Sequence, residues 1–127
     1  MSTEKAEDGQ QLIKVTGLTA GVPVRDIDSA IAFHRKWFRR DPDEIPEPKI
    51  AEWELTPGTY IQFFQNPDLA GNAVMRLGVE DAAAAREALI ATDIEVTPIT
   101  EVGGFLRYCD FRDPDGNRYS LVELVAQ

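Results

Sequence analysis

Two residue types that commonly carry acid–base or nucleophilic chemistry, histidine and cysteine, occur once each in this chain of 127 residues. His34 is the only histidine, and an imidazole changes its charge near neutral pH. Cys109 is the only cysteine, and a thiolate beside an imidazole is a nucleophile. His34 shares an apolar helical stripe with Ile31 and Trp37, and Cys109 shares a strand face with Phe111. The sequence therefore favours packing roles for both, and a reactive Cys109–His34 pair is the alternative.

Two amphipathic helices are predicted, and the first carries the histidine. Apolar residues recur at three- and four-residue spacing from about Asp28 to Arg39, and a second helix is predicted from about Ala82 to Ala91. Asp26, or Asp28 itself, can cap the first helix, and Asp81 can cap the second. Asp93 follows the second helix where a helix-ending residue with positive φ is expected.

A repeat divides the chain into two similar halves. The stretch "VPVRDIDSA" (Val22–Ala30) matches "LGVEDAAAA" (Leu77–Ala85) at an offset of 55 residues. The stretch "WELTPGTYIQFF" matches "FRDPDGNRYSLV" at an offset of 58 residues, with Gly58 and Gly116 both in turn positions. Each half therefore predicts a strand, a helix and three further strands, which is an α+β fold built from two tandem βαβββ modules.

The composition describes a globular chain with a polar start. Hydrophobic residues make up 43% and charged residues 28%, and the length suits one domain. We predict a flexible tail at residues 1–11 and a single domain at residues 12–127. Its first module spans about 12–66 and its second about 73–125, separated by the linker "PDLAGNA".

Charge, hydropathy and cysteine content argue against several classes of partner. The net charge of −9 opposes binding to nucleic acid, because phosphate groups require a basic face. No apolar run approaches the ~20 residues that a membrane span needs, so no membrane partner is expected. The N-terminus lacks the hydrophobic stretch of a secretion signal. A single cysteine fits a reducing compartment, and a cytoplasmic location is expected.

The duplicated Val-x-Asp start of each helix, the duplicated glycine turn and the "DPDGN" turn together resemble the vicinal oxygen chelate superfamily. Its members include glyoxalase I, bleomycin resistance proteins, fosfomycin resistance enzymes and extradiol dioxygenases. The resemblance covers roughly Leu12 to Val125. It implies two βαβββ modules whose curved mixed sheets form a cavity.

In the metal-dependent members of this superfamily, four strand positions point into the cavity and hold the ion. The resemblance assigns those positions to Thr19, Gln62, Val74 and Ser120. Val74 offers no donor atom, and Thr19 and Ser120 offer neutral hydroxyls where the family enzymes use His, Glu or Gln. No metal or other cofactor is therefore expected, and neither is glyoxalase or dioxygenase activity.

Strand alternation adds further side chains to the implied cavity. An arginine and two carboxylates in a cleft with apolar edges can position a polar organic ligand. The alternative is an internal ion pair between Arg76 and Glu52 or Asp110. The candidate ligand-binding residues are Thr19, Glu52, Tyr60, Gln62, Phe64, Val74, Arg76, Asp110 and Ser120.

Three functions are consistent with the sequence. The first is a metal-independent small-molecule binding protein, similar to the bleomycin resistance branch, which sequesters a cationic or aromatic ligand. The second is a lyase or isomerase without a metal, in which Glu52, Asp110 or His34 carries the proton. The third is a protein whose dimer surface is itself the functional surface. Exposed edge strands and internal symmetry predict a homodimer in each case.

Overall fold

The structure, a computed structural model, describes residue 9 and residues 11–125, so the predicted tail at residues 1–11 lies almost entirely outside the described residues. The first half contains β1 (Leu18–Val24), α1 (Ile27–Phe38), β2 (Glu44–Glu47), β3 (Ile50–Thr56) and β4 (Thr59–Gln65). The second half contains β5 (Val74–Gly78), α2 (Ala82–Ile90), β6 (Thr100–Val102), β7 (Leu106–Arg112) and β8 (Arg118–Leu124). Neither helix is long and apolar enough to cross a membrane.

The strands form two four-stranded mixed sheets with the same topology. The strand order is β1-β4-β3-β2 in the first sheet and β5-β8-β7-β6 in the second. In each sheet the first strand pairs in parallel with the last, and the other neighbours are antiparallel. The predicted α+β fold of two tandem βαβββ modules is confirmed, and each sheet is curved and open.

Local signals at their ends explain where the helices begin. The Asp26 carboxylate accepts a hydrogen bond from the Ser29 N–H at 2.8 Å, and Asp81 accepts one from Ala84 at 3.0 Å. Both aspartates have extended backbones and are the N-caps, so Asp26 rather than Asp28 caps α1. These contacts fix the point at which each strand gives way to a helix.

The helix C-termini use two non-glycine residues with left-handed backbone. Arg39 ends α1 with φ of 62°, and its N–H donates to the Arg35 carbonyl. Asp93 has φ of 66°, as the sequence predicts, three residues after the end of α2. Both helices end one residue before their predicted limits, which is ordinary fraying at helix boundaries.

Helix α1 lies between the two sheets and supplies the centre of the core. The His34 ring stacks on Phe63 of β4 with centroids 4.0 Å apart, and it meets Tyr119 of β8 edge-on at 5.4 Å. Trp37 contacts Phe111 of β7 in the same edge-on manner at 5.6 Å. The sheet residues buried in this core are Val22, Val24, Ala51, Trp53, Ile61, Phe63, Cys109, Phe111, Tyr119 and Leu121. The predicted packing roles of the histidine and the cysteine are confirmed.

Asn117, in the turn between β7 and β8, joins the second module to the linker and to β1. Its side-chain oxygen accepts hydrogen bonds from the N–H groups of Gly71 and Ala73, each at 3.0 Å. Its side-chain nitrogen donates to the Pro23 carbonyl at 2.9 Å and to the Asp113 carboxylate at 3.0 Å. Asn117 is fully buried, and its bond to Asp113 is buried as well, whereas the other three bonds are partly buried.

The corresponding turn of the first module makes different contacts. Gly58 and Gly116 both have positive φ, 82° and 99°, as their turn positions predict. The Gly58 carbonyl accepts a hydrogen bond from the Leu18 N–H at 2.9 Å, so this turn closes onto the start of its own sheet. Among the described residues, the hydrogen bonds of the second turn reach both modules, whereas this bond of the first turn stays within its own module.

Candidate functional site

The outer face of the first sheet, which points away from α1, carries five of the candidate residues. Glu52 of β3 lies directly opposite Gln62 of β4, and the Gln62 amide nitrogen donates a hydrogen bond to the Glu52 carboxylate. Tyr60 and Phe64 stand two residues to either side of Gln62, so they share its face. Thr19 of β1 is paired with Tyr60 and is exposed. The structure therefore brings these five side chains onto one surface.

Sequence analysis missed a second carboxylate on this face. Glu54 follows Glu52 at the next outward position of β3, and its strand partner is Tyr60. The charge of Glu54, with smaller contributions from burial and from Glu52, raises the pKa of the Tyr60 hydroxyl. Side chains two residues apart on a strand share a face, so the alternation that predicts an outward Glu52 also predicts an outward Glu54. The outer face of the first sheet is consequently acidic and aromatic.

The outer face of the second sheet repeats the pairing of a carboxylate with a neutral donor, but it also carries Arg76, Arg112 and Arg118 and is therefore not acidic. Asp110 of β7 lies opposite Ser120 of β8, and the Ser120 hydroxyl donates to the Asp110 carboxylate at 2.6 Å. This pair lies 58 residues after the pair in the first sheet, so each module places one carboxylate beside one neutral donor. Val74 and Arg76 belong to the neighbouring edge strand β5, where Arg76 is paired with Ser120.

Within one chain, the two outer faces do not meet. Helix α1 packs against the inner face of both sheets, so the two outer faces point away from each other. The structure brings Glu52 to Gln62 and Asp110 to Ser120, but it separates the two pairs by the thickness of the core. Among the described residues Arg76 forms no ion pair with either carboxylate.

The four positions that hold a metal in the metal-dependent members do not fit one here. The Val74 side chain has no donor atom, and the Ser120 hydroxyl is engaged with Asp110. Thr19 and Gln62 belong to the other sheet, and neither carries a charge. Across residues 11–125, no group of three or more His, Cys, Asp or Glu side chains is arranged to hold an ion.

His34 lies at the centre of a buried hydrogen-bond network. The Trp37 indole N–H donates to His34 Nδ1 at 2.9 Å, so the network assigns the proton of the neutral ring to Nε2. That nitrogen faces the Tyr119 hydroxyl at 3.4 Å and the Asp113 carboxylate at 3.6 Å. Burial lowers the pKa of His34, and the nearby Asp113 opposes this effect without reversing it. With 0% exposure, the ring cannot reach a ligand.

Asp113 keeps its negative charge in this network. Burial acts to raise the pKa of the Asp113 carboxyl, but hydrogen bonds from His34, Asn117 and Tyr119 outweigh it and lower the pKa. The Tyr119 hydroxyl donates to Asp113 at 2.8 Å, and burial together with this carboxylate raises the pKa of the tyrosine. Sequence analysis identified the "DPDGN" segment only as a turn, so this structural role of Asp113 was missed.

Cys109 does not form the nucleophilic pair considered as an alternative. Its thiol is fully buried, and burial raises its pKa, an effect that Arg86 only partly opposes. The ring nitrogens of His34 face Trp37, Asp113 and Tyr119 rather than the thiol. A protonated, buried sulfur is a packing residue rather than a nucleophile.

Glu123 confirms the register assumed for the second sheet. Three residues after Ser120, this carboxylate points away from the outer face, and it accepts a hydrogen bond from the Ala82 N–H at 2.8 Å. Because Ala82 is the first residue of α2, Glu123 adds negative charge at the helix N-terminus. It is therefore unavailable to replace Ser120 on the outer face.

Comparison with known proteins identifies the fold. No family model matches the sequence, and no curated protein matches it either. A glyoxalase/bleomycin resistance protein from Catenulispora acidiphila is 28% identical with a TM-score of 0.79, and the match covers 87% of this chain and 99% of that one. A bleomycin resistance determinant encoded on transposon Tn5 is 19% identical with a TM-score of 0.73, and the match covers 88% and 100%.

A third similar structure was solved with its ligand. The bleomycin-binding protein of Streptomyces verticillus, complexed with copper(II)-bleomycin, is 18% identical with a TM-score of 0.72. The match covers 88% of this chain and 98% of that one. These likenesses extend over both modules, and they agree with the duplicated sheet topology and the duplicated turns. The chain has the fold of the glyoxalase/bleomycin resistance proteins, which is consistent with the resemblance to the vicinal oxygen chelate superfamily.

Proposed function

We propose that this protein binds a small organic molecule of cationic or aromatic character and does so without a metal ion. One observation carries the proposal: the centre of each outer sheet face holds a carboxylate beside a neutral hydrogen-bond donor. Glu52 with Gln62 and Asp110 with Ser120 are equivalent members of the repeat. A carboxylate that already has one donor still has free lone pairs for a ligand.

The surroundings of Glu52 favour a ligand that is positively charged and flat. Glu54 adds a second negative charge beside Glu52, and a cation bound there gains charge-assisted hydrogen bonds. Tyr60 and Phe64 flank the same spot and offer ring faces for stacking or for cation–π contacts. Bleomycin-binding neighbours of the same fold support a ligand of this class.

The ligand cleft in this proposal forms between two copies of the chain. Because the two outer faces of one chain point apart, a second copy can bring its second sheet opposite the first sheet. A two-fold axis then makes the reciprocal contact as well, giving two identical clefts per homodimer. Light scattering tests this part of the proposal, and a monomer at micromolar concentration would contradict it.

Titration calorimetry with bleomycin and with ethidium as probes tests the ligand class. We expect saturable binding that weakens at least about tenfold in Glu52→Gln, because a hydrogen bond to a charged group contributes about 1.5–3 kcal/mol. Glu80→Gln is the matched control, since Glu80 is exposed and lies outside the outer faces. The proposal fails if neither probe saturates the protein, or if both variants weaken binding equally.

The enzymatic alternative has less support from the geometry. His34 is buried and cannot touch a substrate, so a lyase or isomerase would have only Glu52 and Asp110 as proton carriers. Among the described residues, the side chains hydrogen-bonded to these two carboxylates are Gln62 and Ser120, neither of which changes its protonation in the physiological pH range. We propose binding rather than catalysis, and we keep the cytoplasmic location as part of this proposal.

A further inference from the structure

A groove lies between the two modules, away from the Glu52 face of the first sheet. It has a volume of ≈ 520 Å³, within the range of about 300–1,000 Å³ that is typical of small-molecule sites. Its sides come from the end of α1, the turn between β3 and β4, strand β5, helix α2 and strand β8. The lining includes Lys36, Arg39, Arg76, Leu77, Ala88 and Thr92.

The inner wall of the groove is apolar. Leu77 and Leu121 are register partners on neighbouring strands and form its floor, and Leu89 of α2 adjoins them. Leu89 and Leu121 are only 6% and 5% exposed, so the floor is continuous with the core. Trp37 contributes the edge of the aromatic cluster on the opposite side. An apolar body can be buried here without loss of hydrogen bonds.

The polar groups of the groove are basic, although the chain as a whole is acidic. Lys36, Arg39 and Arg76 line it, and the described lining contains no carboxylate, whereas the chain has 22 acidic and 13 basic residues. All three basic residues are exposed, and none joins an ion pair with another described residue. Lys36 and Arg39 also complement the C-terminal end of α1, but Arg76 comes from a strand.

We propose that this groove binds an organic anion with an apolar body, such as an aromatic carboxylate. The carboxylate would bind at the Lys36, Arg39 and Arg76 side through charge-assisted hydrogen bonds, and the rings would lie on the apolar floor. The groove is a separate site from the Glu52 face of the first sheet, because its polar groups are basic and its floor is the inner side of the second sheet; Arg76, the register partner of Ser120, stands at the edge strand where the groove meets the outer face of that sheet. The organic anion proposed for the groove therefore differs in charge from the cationic or aromatic ligand proposed for the outer face.

Three probes of one size and different charge test this proposal. We expect 2-naphthoate to bind saturably, with one molecule per chain, and at least about tenfold more tightly than the amine 2-naphthylmethylamine. The uncharged 2-naphthylmethanol should lie between the two. In NMR spectra, naphthoate should shift the amide signals of Leu77, Ala88 and Thr92. Equal binding of the three probes, or shifts confined to the outer faces, would overturn the proposal.

A double variant with a matched control isolates the basic groups. In Lys36→Gln/Arg39→Gly, naphthoate should bind about tenfold more weakly, while naphthylmethanol binding changes less than about twofold. Glycine suits the left-handed backbone at position 39, so this variant retains the helix end. Lys14→Gln/Lys49→Gln makes the same change in net charge at exposed positions outside the groove. Equal weakening in both double variants would contradict the proposal.

A further substitution tests whether a small molecule or a second copy of the chain occupies the groove. Ala88→Phe introduces a ring into the groove from α2, and it should abolish naphthoate binding without altering the oligomeric state. If this substitution instead changes self-association and leaves naphthoate binding intact, a second copy of the chain occupies the groove and the proposal is wrong. Glu52→Gln should leave naphthoate affinity unchanged, which separates this result from any result on the outer faces.

Discussion

The buried imidazole predicts how the stability of this protein depends on pH. His34 is fully buried with a lowered pKa, whereas in the unfolded chain it has the ordinary value of 6.5. Below that value the unfolded state binds a proton that the folded state does not, so acidification favours unfolding. Stability is therefore complete above about pH 6.5 and is lost as the pH falls toward the lowered pKa of the folded state.

The size of this effect follows from the proton uptake of the unfolded chain. When only the unfolded chain takes up the proton, a group of ordinary pKa 6.5 raises the ratio of unfolded to folded protein about tenfold between pH 7.5 and 5.5. This corresponds to about 1.4 kcal/mol of unfolding free energy. That is the full loss when the folded ring stays neutral throughout. Asp113 and Asp115 favour the protonated ring and reduce the loss, while the Tyr119 hydroxyl stays uncharged. Because the pKa of Asp113 is lowered, its own titration falls below this window.

Urea denaturation at pH 7.5 and 5.5, at one fixed protein concentration, measures this loss directly. The wild-type protein should lose up to about 1.4 kcal/mol of unfolding free energy, and His34→Gln should lose much less because glutamine does not titrate. Since His34 is the only histidine, its ring signals in NMR spectra titrate without overlap and supply a second measurement. Equal losses in both proteins, or a native ring pKa at or above 6.5, would refute the reasoning.

Three further predictions concern the module junction and the buried thiol. Asn117→Ala removes four hydrogen bonds of a fully buried side chain and should lower the unfolding free energy by roughly 2–5 kcal/mol in urea titration; a loss below about 1 kcal/mol would contradict this. Gly71→Ala should also be destabilising by more than about 1 kcal/mol, because φ is 101° and the new Cβ would lie 2.7 Å from the Asp115 carbonyl oxygen; unchanged stability would refute it. Cys109 should react with a thiol reagent far more slowly in the native protein than in urea, and similar rates would contradict its burial.

Much of the fold could be predicted from the sequence because its signals are local. The aspartates that cap each helix, and the glycines with positive φ in the two turns, act through neighbouring residues. Their repetition at nearly constant offsets is sufficient to predict two βαβββ modules. Strand alternation also paired Glu52 with Gln62 and Asp110 with Ser120 on common faces, since the side-chain period of a strand is two.

The arrangement of the two modules could not be predicted in the same way. The alternation of side chains along a strand identifies the two faces of a sheet. It does not predict which helix or sheet packs against each face. The position of α1 between the sheets depends on how His34 and Trp37 fit against Phe63 and Phe111, which are far apart in sequence. The groove likewise combines side chains from five segments of the chain, and no spacing in the sequence relates them.

The buried asparagine at the β7–β8 turn makes the two halves of this duplicated chain non-equivalent. Asn117 binds Pro23 of the first module and the linker, whereas its counterpart by the 58-residue offset, Thr59, is the first residue of β4. A protein assembled from two copies of the first half would lack these side-chain hydrogen bonds, and the Pro23 carbonyl would lose its Asn117 donor. The two sheets keep equivalent strand orders, but exchanging the two halves would lose the hydrogen bonds of Asn117 to Pro23 and to the linker.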